Sequence, residues 1–203
     1  MLKSYLSAFF QTWAASKTKK NWRGLWRLKK LGIQWQLNDV QVVGEEIELS
    51  GPVIIKNAGL IEIGNQVIFG SAWHKPIYIS LSAPDARLKI ENNVFINYGT
   101  EISLVKEIII GAYSLIGIDC LLYDTNWHSL EGNDQAVTGE ATIIGRGVWL
   151  GARVIVLKGV TIGDNTVVAA NSVVTKDLPN NVLAGGNPAK IIREIERSRY
   201  VAS

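Results

Sequence analysis

The chain has 203 residues, enough for one domain with a substantial core, and 47% of them are hydrophobic while 19% are charged. This balance excludes a disordered chain, and a single cysteine, Cys120, excludes an internal disulfide framework. No apolar run reaches the roughly 20 residues that span a bilayer, so we expect a cytoplasmic protein.

The first 35 residues differ in composition from the rest of the chain. Residues 1–38 contain eight of the 21 basic residues and no acidic one. Apolar side chains recur there at helical spacing, at Leu2, Leu6, Phe9, Phe10 and Trp13. We predict a helical segment over residues 1–35, with two alternatives for its role. It caps the open end of the following domain, or residues 1–31 lie on an anionic inner-membrane surface. No nucleic-acid-binding motif accompanies the charge.

The domain predicted for residues 36–183 has a period of six residues. An aliphatic side chain recurs every six residues at Ile144, Leu150, Val156, Ile162, Val168 and Val174. Four residues after each comes a second, mostly small side chain, at Val148, Val154, Val160, Thr166, Ser172 and Leu178. The same pattern occurs more loosely before the break described below, at Ile90, Ile96, Ile110 and Ile116. A fixed period of this kind indicates a repeat architecture.

A period of six fits neither one helix, which needs 3.6, nor one alternating strand, which needs 2. It does fit short strands joined by sharp turns, with three sides closing a triangular coil of about 18 residues whose strands stack in parallel on the next coil. Glycine and asparagine would occupy the corners, where positive φ is needed. We therefore predict an all-β solenoid, a parallel β-helix of about six to seven triangular coils.

The period is interrupted by a protruding loop over residues 123–142. The stretch LLYDTNWHSLEGNDQAVTGEAT contains His128, one of only two histidines in the chain. Insertions at solenoid corners often lie on a functional face, and imidazole is suited to general-base catalysis near neutral pH. The residues alone also fit a surface loop that His128 and Trp127 merely hold against the coil.

The C-terminal stretch VVTKDLPNNVLAGGNPAKIIREIERSRY ends the repeat at Leu178. A Gly-Gly-Asn-Pro turn follows, and Pro188 is well placed to begin a helix. We predict a turn and a short helix over residues 184–203. From the residues alone, this helix would be a solvated basic element.

The stretch IIGRGVWLGARVIVLKGVTIGDNTVVAANSVVTKDLPNNVLAGGNPAKII resembles the hexapeptide-repeat acyltransferases. It is most similar to the branch that contains galactoside, maltose and exopolysaccharide O-acetyltransferases. The resemblance implies a left-handed β-helix, an exception to the usual right-handed crossover. It further implies a homotrimer with active sites at subunit interfaces. The implied activity is CoA-dependent transfer of an acetyl group from acetyl-CoA to a hydroxyl of a sugar or polysaccharide intermediate.

The resemblance also implies roles for individual residues. His128 would be the catalytic base, with its tautomer fixed by Asp124 or Glu131, of which we favour Asp124. Asn97 and Trp127 would bind the acceptor. By motif position, the acetyl-CoA contacts would be Ala152, Ala170, Thr175, Lys176, Lys190 and Arg193. His74 is expected to pack at a coil corner.

Three alternatives define what must be tested. An N-acyltransferase acting on an amino sugar nucleotide is a close rival, and a non-catalytic β-helix scaffold is a more distant one. A zinc site of the carbonic-anhydrase type needs three histidine ligands, and the chain has only two histidines, so no metal is expected. The period points Cys120 into the core, which disfavours it as a nucleophile.

Overall fold

The computed structural model of the chain describes residues 40–128 and 138–196. The predicted helical segment at residues 1–35 and Glu131 lie outside these residues, so both stay predictions. All regular structure within the described ranges is β-strand. Accordingly, the described part of the chain contains no helix long and apolar enough to cross a membrane.

Twenty short strands follow one another in groups of three, and each group makes one coil. The first three coils contain β1 (Val42–Val43), β2 (Glu48–Leu49), β3 (Val53–Asn57), β4 (Leu60–Ile63), β5 (Ile68–Gly70), β6 (Ile77–Leu81), β7 (Arg87–Ile90), β8 (Phe95–Asn97) and β9 (Glu101–Leu104). The next three contain β10 (Glu107–Ile110), β11 (Leu115–Ile116), β12 (Leu121–Tyr123), β13 (Thr142–Ile144), β14 (Trp149–Leu150), β15 (Ile155–Val156), β16 (Thr161–Ile162), β17 (Val167–Val168) and β18 (Val173–Val174). A partial seventh coil contains β19 (Val182–Gly186) and β20 (Ala189–Glu194).

Corresponding strands of successive coils pair in parallel and form three sheets. The first strand of each coil belongs to sheet A, the second to sheet B and the third to sheet C. The corners between them stack along the solenoid, and we name these stacks the AB edge, the BC edge and the CA edge. The architecture is the predicted parallel β-helix, and six complete coils with a partial seventh confirm the predicted number of coils.

The core is a single column of side chains inside the triangular coils. Both series of the six-residue period point inward, and their members are at most 6% exposed. Full burial of one such aliphatic side chain contributes about 1.5–3 kcal/mol relative to its exposed state. Small residues at the second position of each repeat leave room for the chain to turn at the corner. The predicted inward series is therefore confirmed.

Corner residues adopt positive φ at the same place in every coil along the AB edge. These φ values lie between 56° and 65°, at Glu46, Gln66, Asn93, Tyr113, Gly147, Asn165 and Asn181. Glycine or asparagine, as predicted from the sequence, occupies four of these seven positions. Side chains also connect one coil to the next, since Asp164 Oδ1 accepts a hydrogen bond from Arg146 N at 2.8 Å.

The length of the coils explains why the period is strict only in the C-terminal half. Ile143 pairs with Thr161, one ideal step of 18 residues. The step from Ile61 to Leu88 takes 27 residues, and the step from Ile108 to Thr142 takes 34. Both long steps keep the strands in register because the additional residues leave the coil at corners.

The predicted C-terminal helix is wrong for the described residues of this segment. β20 instead returns antiparallel to β19, after a turn that contains the cis Asn187–Pro188 peptide bond. Proline is as common in turns as at helix starts, so Pro188 could not decide between the two. The β-branched pair Ile191 and Ile192 favours a strand, and β20 gives the last parallel strand a hydrogen-bonding partner that a helix could not supply.

Candidate active site

The loop that carries His128 leaves the coil at the CA edge, between β12 and β13. Its neck is closed by an antiparallel bridge between Thr125 and Gly139. Glu140 N donates a hydrogen bond to the backbone oxygen of Asp124 at 2.8 Å. The two ends of the loop are therefore held together before the chain extends away from the solenoid.

The side chain of Asp124 fixes this neck to the preceding coil. It is fully buried, and its two carboxylate oxygens accept hydrogen bonds from the backbone N–H groups of Val105, Lys106 and Glu107 at 2.9, 2.6 and 2.7 Å. A carboxylate that accepts several backbone N–H bonds is a strong, charge-assisted anchor. The geometry identifies Asp124 as an anchor of the loop, and its predicted role as the partner of His128 stays a prediction.

The other side of the neck is fixed to the following coil. Glu140 Oε1 forms an ion pair with Lys158 Nζ at 2.5 Å, and this pair lowers the pKa of Glu140. The backbone oxygen of Glu140 accepts a hydrogen bond from Gly159 N at 3.1 Å. Thr142 Oγ1 donates to the backbone oxygen of Tyr123 at 2.9 Å. The loop therefore starts from a base that is bonded to coils on both sides.

Trp127 and His128 follow directly from this base. Trp127 has a φ of 60°, an uncommon conformation for a bulky residue, and its N–H donates to Thr125 Oγ1 at 3.1 Å. This turn presents His128 to solvent at the CA edge, with an exposed side chain. An exposed imidazole on an anchored turn can reach a substrate hydroxyl, which a buried histidine could not do.

A polar cavity of about 400 Å³ lies beside the neck of the loop, along the CA edge. It is lined by Ser82, Ala83, Asp85, Val105, Lys106, Thr138 and Gly139. Sequence reasoning did not identify these residues. The coil length was the available signal, since Lys106 precedes the anchor Asp124 by 18 residues and so must lie beside it in the stack.

The residues predicted to contact acetyl-CoA lie on two edges of the solenoid. Ala152 and Ala170 stack at the BC edge, where Asn171 N donates to the oxygen of Ala152 at 2.9 Å. Thr175 and Lys176 follow β18 and are exposed on the CA edge, the same edge as His128. Lys190 and Arg193 are both exposed on β20, at the C-terminal end of sheet B. A single chain does not bring the alanine pair next to His128.

The predicted acceptor residues are divided in the same way. Asn97 ends β8 and is half-buried toward the BC edge, with its Oδ1 accepting a hydrogen bond from Tyr98 N at 2.9 Å. Trp127 lies on the CA edge. Cys120 is fully buried, and burial raises the pKa of its thiol to about 11. A protonated thiol in the core cannot act as a nucleophile, as the six-residue period predicted.

Comparisons with known proteins agree with this architecture. The family model described as bacterial transferase hexapeptide (six repeats) matches residues 141–176. Galactoside O-acetyltransferase of Escherichia coli (strain K12) is 36% identical over 144 residues, which cover 69% of each chain. The chain belongs to the hexapeptide-repeat acyltransferases.

Two solved structures relate this hexapeptide-repeat acyltransferase to proteins of known activity. The polysialic acid O-acetyltransferase OatWY is similar with a TM-score of 0.61 and 29% identity, over 79% of this chain and 77% of that chain. Galactoside acetyltransferase in complex with coenzyme A is similar with a TM-score of 0.51 and 31% identity, over 68% and 72%. The predicted left-handed β-helix, the acyltransferase activity and acetyl-CoA as co-substrate are confirmed by these relationships.

Proposed function

We propose that the protein transfers an acetyl group from acetyl-CoA to a hydroxyl of a sugar within a glycan, with His128 as the general base. The observation that carries this proposal is the position of His128. Its side chain is exposed on a turn whose base is bonded to neighbouring coils, beside a polar cavity of about 400 Å³. Cavities of this size hold small polar ligands such as a sugar residue.

The chemistry needs one group that first accepts and then donates a proton. The imidazole of His128 removes the proton of the acceptor hydroxyl, and the resulting alkoxide attacks the thioester carbonyl of acetyl-CoA. A backbone N–H group stabilises the oxyanion of the tetrahedral intermediate. When the carbon–sulfur bond breaks, the imidazolium returns the proton to the departing thiolate, which leaves as CoA. No covalent enzyme intermediate is required.

We propose further that the active site is shared between copies of the chain in a homotrimer. In a threefold arrangement with sheet C toward the axis, the BC edge of one copy meets the CA edge of the next. This places Ala152 and Ala170 of one copy opposite His128, Thr175 and Lys176 of its neighbour, along one groove long enough for acetyl-CoA.

The outer face of sheet C supports this arrangement. The row of side chains along its outward register contains five aromatic or aliphatic members among six, namely Ile54, Tyr78, Glu101, Leu121, Ile155 and Val173. An apolar row on a solvent-facing sheet is typical of a subunit interface. Burial of this row in the trimer would remove it from water.

The test combines binding with catalysis. Calorimetry should find saturable acetyl-CoA binding to the wild type and to His128→Ala alike. Release of free CoA with a panel of glycan acceptors should fall at least about a hundredfold in His128→Ala. Asn126→Ala, an exposed neighbour on the same turn, is the matched control and should retain its activity. Activity of His128→Ala within a few fold of wild type would contradict the assignment, and mass spectrometry of the product separates O-acetyl from N-acetyl transfer.

A further inference from the structure

The solenoid contains a second enlarged corner besides the loop of His128. The 27-residue step of the second coil includes an extended corner on the BC edge, residues 71–76, which is closed by a bridge between Ala72 and Lys75. Trp73 lies at its tip and is 80% exposed, more than any other large apolar side chain of the described residues. A single exposed apolar residue needs no explanation, but the groups around Trp73 are unusual.

Charged side chains from three coils meet directly beside this corner. Lys75 Nζ lies 2.5 Å from Asp119 Oδ2, and Arg153 Nε lies 3.9 Å from the same oxygen. The intervening coil contributes Gly99, and a Cβ there would lie 2.1 Å from Asp119 Oδ1 and 2.8 Å from Lys75 Cε. Only a residue without a side chain lets the second and fourth coils meet here.

The corner continues toward residues that the proposed function already uses. The rings of His74 and Tyr98 lie 6.1 Å apart at a tilt of 52°, and Tyr98 directly follows Asn97, the predicted acceptor residue. Farther along the same edge lies Ala152, a predicted acetyl-CoA contact. We name Trp73, His74, Lys75, Asp119 and Arg153 the corner cluster. The cluster extends the proposed acceptor site away from the acetyl-CoA end.

We infer that the corner cluster is a subsite for a glycan chain of two or more sugars. The inference rests on the proposed function, since the acetylated sugar would occupy the active site while the next sugars of the chain contact the cluster. It assigns an oligosaccharide or polysaccharide, and not a free monosaccharide, as the acceptor.

The chemistry of the cluster suits a sugar chain. An exposed indole offers a flat apolar face for the C–H face of a sugar ring, and its N–H can donate to a hydroxyl. The Lys75 ammonium has three donors, of which the ion pair with Asp119 uses one, so the others can bind hydroxyl oxygens. Because the ion pair holds the lysine in place before binding, little side-chain entropy is lost when a sugar arrives.

The experiment measures glycan binding and acetyl-CoA binding on the same proteins. Fluorescently labelled full-length protein is applied to an array of defined bacterial glycans of one to eight sugars, and acetyl-CoA binding is measured by calorimetry. Wild type should bind chains of two or more sugars more tightly than single sugars. Trp73→Ala should weaken chain binding at least tenfold and Lys75→Ala several fold. Lys89→Ala is the control because Lys89 forms an equivalent ion pair with Glu91 at 3.0 Å, away from the cluster on sheet A.

Several results would overturn the inference while leaving the proposed function intact. These are chain binding by Trp73→Ala equal to that of wild type, equal affinity of wild type for single sugars and chains, or acetyl-CoA binding without any glycan binding. Loss of the oligomer by Trp73→Ala on a sizing column would identify Trp73 as a subunit contact and overturn the inference as well. Absence of acetyl-CoA binding to wild type would instead contradict the proposed function itself.

Discussion

Replacement of Asp124 tests whether the loop of His128 is held by an anchor or tuned by a catalytic partner. The carboxylate accepts three backbone N–H bonds at 2.6–2.9 Å from residues 105–107. Asp124→Ala removes all three acceptors, and each buried donor left unsatisfied costs about 1–3 kcal/mol. Since Lys106 is exposed and water can reach part of this turn, we expect a net loss of about 3–5 kcal/mol in local stability.

Asp124→Asn should have a smaller effect because its amide oxygen still accepts. Its NH2 group would face a backbone donor, so we expect a loss of about 1–3 kcal/mol. Hydrogen exchange of the backbone amides of residues 105–107 measures both effects directly, since 1.4 kcal/mol corresponds to a tenfold change in the opening equilibrium. The turnover number should fall by about tenfold to a hundredfold in the alanine variant, because small displacements of a catalytic group are costly.

The matched control is Asp164→Asn, which changes another corner aspartate that accepts a backbone N–H bond, on the AB edge. It should alter local exchange near Arg146 and leave turnover unchanged. The anchor interpretation would be refuted if Asp124→Asn kept full protection of residues 105–107 and yet shifted the pH profile of kcat/KM. That combination would mean that Asp124 acts on the ionisation of His128.

Three further predictions concern the coil itself. Gly99→Ala should cost about 2–4 kcal/mol in denaturant unfolding, because its Cβ would lie 2.1 Å from a carboxylate oxygen at a φ of 71°, whereas Gly186→Ala, at a φ of 105° with its nearest contact at 3.4 Å, should cost only about 1 kcal/mol; equal losses would contradict the overlap. Ile162→Ala should cost about 2–5 kcal/mol by creating a cavity in the core, while its exposed strand neighbour Thr161→Ala should stay within about 0.5 kcal/mol. Burial raises the pKa of the Cys120 thiol to about 11, so it should react with a disulfide reagent at pH 8 only after unfolding in urea, and rapid reaction of the native protein would contradict its place in the core.

The repeat could be predicted from the sequence because its period directly encodes the geometry. Each inward position depends only on residues six apart, so Ile144 and Val174 could be placed in the core without any knowledge of distant contacts. The coil length also contains the partner of Asp124, because Lys106 precedes it by one coil of 18 residues.

Contacts across coils of irregular length could not be predicted in this way. The pair of Lys75 and Asp119 spans 44 residues and depends on where the additional residues of two coils leave the stack. The strand β20 was missed for a different reason, since Pro188 fits both a helix start and a turn. What decided the conformation was the unpaired edge of β19, a tertiary feature with no local signal.

The central claim is that each active site joins the CA edge of one copy to the BC edge of another. Mixed trimers test it most directly, with His128→Ala in one chain and Ala170→Trp, which blocks the proposed pantetheine path on the exposed BC edge, in the other. Each variant alone should be nearly inactive. If equal amounts assemble at random, about three quarters of the trimers contain both chains, and each of these has one intact site out of three. We therefore predict recovery of about a quarter of wild-type activity. No recovery from co-assembled trimers, confirmed as mixed by mass spectrometry, would contradict a site shared between copies.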